Sequence, residues 1–148
     1  MSRQIATIGF GQKGAERFVQ LLVDAEVKTL VDIRHRPDSP LAGYARQRDL
    51  PFVLDQAASI RYEHRLELAP PDELLERYRK DKDWTAYVGD FEAVLSSPEG
   101  VASMDALLDR PDRIALMCSE PTADRCHRRL VAERMSEMRR GVAIEDLV

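Results

Sequence analysis

The residues best equipped for chemistry lie in one segment, IALMCSEPTADRCHRR at positions 114–129, which holds both cysteines of the chain. Arg113 to Cys118 has the unbroken apolar character of a buried strand. Ala123 to Met138 has helical spacing, with Val131, Met135 and Met138 on one side. Cys118 is therefore expected at the carboxyl end of a strand, with Cys126, His127 and Arg128 in the first turns of the helix that follows. In an open parallel sheet that end of a strand faces the ligand crevice. The helix start aims unpaired N–H groups and partial positive charge into the same space, which suits an anion. Cationic neighbours there lower a thiol's pKa and raise its thiolate fraction.

Four uses of this segment are compatible with the residue types. Cys118 can be a small core residue, with Cys126 packed beneath the helix and Arg128 paired to an acid. It can be a nucleophile or redox thiol, with Glu120 as general acid or base and His127 adjusting the thiol. Cys118, Cys126 and His127 can ligate a metal, although the spacing lacks the close cysteine pair of usual zinc sites. Finally, the segment can hold an anion without chemistry. The sequence leaves all four open.

A second polar group occupies LVDIRHRPDSP, positions 30–40. Asp32 and Arg34 share a face by the two-residue period of a strand. Either they turn toward the crevice, where the fork of Arg34 or Arg36 holds a phosphate or carboxylate, or they form a structural salt bridge anchoring the loop. Gly9, Gly11 and Gly14 in GFGQKG match the spacing of a phosphate-cradling turn, and Asp32 lies near the distance of a ribose acceptor. That match is weak, because a tight turn explains the glycines equally well and Arg34 and Arg36 crowd the same strand end. The candidate site is thus Asp32, Cys118, Glu120 and His127 for catalysis and Gly9, Gly11, Arg34 and Arg128 for anion binding, with no metal ligand set committed. His35, His64 and His127 each read more readily as structural or surface residues than as catalysts. Trp84, Tyr87 and Phe91 read as a helical core stripe, not a base-stacking platform.

Positioning these groups needs alternating strands and helices, and the apolar pattern supplies them. Strands are expected at Ile5 to Ile8, Lys28 to Ile33, Ile60 to Tyr62, Arg113 to Cys118 and Val142 to Ile144. Helices are expected over Gly14 to Glu26, Leu50 to Ala58, Asp72 to Lys80, Trp84 to Leu95 and Val101 to Leu108, with Pro98 and Gly100 separating the last two. Between positions 34 and 44, Pro37, Pro40 and Gly43 predict an irregular, arginine-bearing loop. The first strand, helix and strand make a right-handed βαβ crossover. The fold class is therefore α/β: a single three-layer domain over residues 1–148 with a mostly parallel sheet of about four to five strands.

Composition bounds the rest. With 148 residues, 44% hydrophobic and 32% charged, the chain can bury a core of its own. No apolar run approaches the roughly 18 residues that span a bilayer, so no membrane partner is expected. The net charge of −4 argues against tight non-specific binding to a long polyanion. No secretory leader precedes the first strand, which predicts a cytoplasmic chain with both thiols reduced.

From these residues the chain resembles the bacterial and archaeal DUF488 family nearly end to end. The shared pieces are Thr7-Ile8-Gly9, Val31-Asp32-Ile33-Arg34 with Pro37 and Ser39, Ile60-x-Tyr62, and Met117-Cys118-x-Glu120 followed by Cys126-His127-Arg128. Phe10 and Gly11 depart from the family's usual His and Ser. The resemblance implies a crevice shared by Asp32, Arg34, Cys118, Glu120, Cys126, His127 and Arg128, and specifies neither reaction nor cofactor. The leading expectation is an enzyme with a thiol in an arginine-lined crevice, with Arg34 and Arg128 clamping a small anion such as a nucleotide or a nucleic-acid end. The alternatives are a non-catalytic nucleotide or nucleic-acid binding module, or a structural interaction protein. The oligomeric state is not legible.

Overall fold

Ile5, Ala6 and Ile8 have no exposed surface, which is what a strand covered on both faces demands of its side chains. They belong to β1 (Arg3–Gly9). In the computed structural model, which describes residues 3–120 and 126–148, β1 lies between β4 (Ile114–Cys118) and β5 (Val142–Leu147). On its far side β4 pairs with β2 (Thr29–Asp32), which pairs with β3 (Arg61–His64). The result is one five-stranded sheet of order β3-β2-β4-β1-β5, and every pairing in it is parallel.

Strand alternation divides the core into two. Val31, Ile33, Ile114 and Leu116 pack on one face with side chains of α3 (Asp72–Asp81), α4 (Trp84–Leu95), α5 (Pro98–Leu108) and α6 (His127–Met138). Leu30, Ala6, Ile8, Ala115 and Met117 pack on the other with α1 (Ala15–Asp24) and α2 (Leu50–Ala58). This is the expected three-layer α/β arrangement. Tyr87 and Phe91 are buried as the aromatic stripe predicts.

Several boundaries differ from the sequence expectation for local reasons. Pro98 and Gly100 do not separate α4 from α5; they open α5, where the Ser97 hydroxyl caps the Gly100 N–H at 3.1 Å and Pro98 sits in the first turn. Across 40–45 the irregular loop contains short 3₁₀ turns broken at Gly43, whose φ is 57°. β5 runs on through Leu147, because each residue from Val142 onward pairs with β1 in unbroken register. β3 starts at Arg61 and reaches His64, opposite Asp32. Residues 121–125, where the expected last helix begins, lie outside the described residues. The described α6 starts at His127, with Cys126 as its N-cap.

Candidate functional site

The sheet order places the crevice. From β2 the chain turns toward β3 and α2 on one face, whereas from β4 it leaves toward α6 and β5 on the other. Neighbouring strands with diverging exits leave a hollow at their carboxyl ends. The hollow has a volume of about 740 Å³, and its walls include Arg34 after β2, Cys118, Ser119 and Glu120 after β4, and Cys126 and His127 at the start of α6. Two segments more than eighty positions apart in the sequence therefore line one cavity.

At its floor the sulfurs of Cys118 and Cys126 meet, with their Cα atoms 7.7 Å apart. The physical reason is register: β4 ends where Cys126 caps α6, so the strand end and the helix start face each other. Cys118 is 1% and Cys126 4% exposed.

Beneath the sulfurs lies Arg128, with no exposed surface. Its Nη1 donates to Cys118 Sγ at 2.9 Å and to the Glu120 carbonyl at 2.7 Å, and Nη2 donates to Asp146 at 3.3 Å. Burial holds its pKa below the usual arginine value, yet a guanidinium stays protonated in proteins. Its Nε has no hydrogen-bond partner among the described residues. Arg128 is therefore a buried cation whose carboxylate partner is partly exposed and also accepts from Thr7 at 2.6 Å. Such a cation gains from a second anion close by, and the nearest ionisable atom is Cys118 Sγ. Arg128 thus meets a sulfur and is not among the residues lining the hollow.

His127 lines the hollow beside the other cysteine. Its Nε2 lies 2.6 Å from the Ile33 carbonyl, which can only accept, so Nε2 carries the proton and Nδ1 is bare. Nδ1 faces Cys126 Sγ at 3.9 Å, and the ring meets Phe91 edge-on. Burial pushes the imidazole pKa down to about 4. A neutral ring supplies no positive charge to Cys118; that charge comes from Arg128.

The Asp32–Arg34 pair combines both sequence readings. Asp32 is fully buried and binds Arg34 through two side-chain contacts, Nε to Oδ1 at 2.9 Å and Nη2 to Oδ2 at 2.7 Å. Tyr62 donates to the same carboxylate at 2.5 Å, and Arg34 Nη2 reaches the Ala45 carbonyl at 2.6 Å. Burial together with the Asp32 carboxylate raises the Tyr62 pKa, keeping it a phenol. Asp32 thus positions Arg34, and the bidentate edge of the fork is already occupied. The guanidinium rests over the Phe10 ring at 5.1 Å. His64 Nε2 braces the Arg34 carbonyl at 2.7 Å. Arg36 binds Asp72 at 2.6 Å, tying the loop to α3.

The glycine turn serves packing. The Phe10 and Gly11 N–H groups donate to the Cys118 and Ser119 carbonyls at 3.2 and 2.9 Å, so neither is offered to a phosphate. A Cβ on Gly9 would strike the Glu120 carbonyl and come within 2.6 Å of Arg128 Nη1. Glu120 is exposed on the crevice wall. Among the described residues no group of three His, Cys, Asp or Glu side chains is placed to hold a metal, and no helix is long and apolar enough to cross a membrane. Sequence reasoning missed Asp146, because the last strand was expected to stop at Ile144. It also gave Tyr62 and Phe10 no role; only their neighbours in space reveal one.

A family model described as "Domain of unknown function DUF488" matches residues 14–135. No curated protein and no solved structure matches the chain.

Proposed function

The chain belongs to the DUF488 family, and from that premise we propose that it is a cysteine-dependent enzyme of the cytoplasm whose crevice takes a small anionic ligand beside Cys118. The observation that carries this reading is the 2.9 Å contact between the buried Arg128 guanidinium and Cys118 Sγ. In the reduced protein that cation favours thiolate over thiol, and thiolate is the nucleophilic form. Arg34 supplies the anion contact from the opposite wall, aimed by Asp32 and Tyr62. Glu120, exposed on the rim, is the group available for proton transfer to a ligand.

The test compares two alkylating reagents on the reduced Cys126→Ser protein. An ordinary thiol has a pKa near 8.5, whereas Cys118 should titrate below about 7 as read from the pH profile of its alkylation. The anionic reagent iodoacetate should label Cys118 faster than neutral iodoacetamide, and Arg34→Gln should remove that preference. Labelling no faster than that of a free thiol would leave the rival reading, a binding module whose affinity for nucleotide or nucleic acid falls steeply with salt.

A further inference from the structure

We propose that Cys118 and Cys126 are the attacking and resolving thiols of a two-electron cycle that reduces small disulfides carrying both carboxylate and ammonium groups. The proposal rests on the thiol reading above and extends it to Cys126, to the role of His127 and to the substrate class.

The two sulfurs sit in different electrostatic settings. Cys118 receives a hydrogen bond from a guanidinium, which stabilises negative sulfur. Cys126 lies 3.9 Å from that same Arg128 Nη1 and 3.9 Å from the bare Nδ1 of a neutral imidazole, which accepts from S–H, so the guanidinium bears on it less closely than on Cys118. One thiol is therefore poised to attack while its neighbour waits. A base with a pKa of about 4 is too weak to take the proton of an ordinary thiol outright. His127 is consequently a positioning residue, aiming Cys126 at Cys118.

The chemistry balances as follows. The Cys118 thiolate attacks a disulfide RSSR; the Cys118–SR bond forms, the S–S bond of RSSR breaks, and RS⁻ leaves. Cys126 sulfur, which the structure places against Cys118 Sγ, then attacks it, forming the Cys118–Cys126 bond and expelling the second RS⁻. The proton of Cys126 passes to that leaving thiolate. The protein dithiol is oxidised by two electrons, RSSR is reduced to two thiols, and an external dithiol restores the enzyme.

Access and charge define the substrate. Both sulfurs are almost fully covered at the crevice floor, so the partner must enter a cavity of about 740 Å³, and the disulfide of a folded protein cannot. The walls carry Arg34, Arg36, Arg79 and Lys82 as well as Asp72, Glu76 and Glu120. That mixture of signs matches amino-acid-like or peptide-like groups better than a polyphosphate.

The experiment mixes the fully reduced protein with cystine, glutathione disulfide, uncharged hydroxyethyl disulfide and insulin, following released thiol and intact mass. The proposal expects closure of the Cys118–Cys126 bond at least ten-fold faster with cystine or glutathione disulfide than with hydroxyethyl disulfide, and no reduction of insulin. Cys126→Ser should stop at a mixed disulfide on Cys118. His127→Gln, which keeps a donor for the Ile33 carbonyl, should slow closure relative to adduct formation. Trapping of the adduct by Cys118→Ser instead of Cys126→Ser, equal rates with the uncharged disulfide, or reduction of insulin would each overturn it. If Cys118 alkylates as a thiolate yet exchanges with none of these disulfides, this inference fails and the thiol reading stands. If the alkylation is also that of an ordinary thiol, both fail.

Discussion

At the scale of single residues, the site is a set of side chains whose partners fix what each can do. Tyr62 shows this: its hydroxyl satisfies one oxygen of the buried Asp32, which in turn holds Arg34. Tyr62→Phe should cost about 1.5–3 kcal/mol, the usual range for a hydrogen bond to a charged group, measured by urea unfolding. It should also weaken the preference of Cys118 for iodoacetate. Gly9→Ala forces a methyl into the space of the Glu120 carbonyl and Arg128; overpacking of this kind costs about 1–3 kcal/mol. The same variant should shift the alkylation midpoint of Cys118 upward, because the guanidinium must move away from the sulfur. The sequence displayed Asp32, Arg34, Cys118, Cys126, His127 and Arg128 as the chemically loaded residues. It could not display which of them face the crevice. A guanidinium at the second position of a helix reads the same whether it meets a ligand or a sulfur, and only the closeness of β1, forced by Gly9, turns Arg128 inward.

Elements are where local chemistry and long-range pairing compete. The spans of α2 and α4 follow from apolar spacing alone, because their ends coincide with local signals: Asp83 caps α4 by accepting from the Ala86 N–H at 3.1 Å. The start of α5 was misread because Pro98 and Gly100 look like breakers, although proline is at home in a helix's first turn. Ser97→Ala removes the cap and should lower stability by about 1 kcal/mol in thermal or urea unfolding. β5 shows the opposite failure. Glu145 and Asp146 look like a strand's end in sequence, yet β1 carries the pairing through Leu147, and this extension delivers Asp146 to Arg128. Non-local pairing of that kind leaves no trace in a short window.

For the whole molecule, charge and burial combine in the pH response. An unfolded imidazole binds a proton near its ordinary value of 6.5, whereas that of folded His127 binds one near 4. Between those values the unfolded state holds more protons, so stability is fully present above about pH 6.5 and falls as pH drops toward 4. The loss from this group is of order 3 kcal/mol. Chemical unfolding across pH 4–7 should show it, and His127→Gln should flatten that part of the profile. A slope unchanged in the variant would mean that other groups carry the acid sensitivity.

The sheet order carries a consequence for biosynthesis. β1 precedes β2 and β3 in the chain but hydrogen-bonds to β4 and β5, which follow them. While the ribosome is still working through the middle of the message, the β2 and β3 pair can already form. The nascent Ile5 to Ile8 stretch has no strand to join until β4 has been synthesised. Until then this apolar strand waits unpaired, and the surroundings of Arg128, which packs against Gly9, are completed only when β1 slots into place.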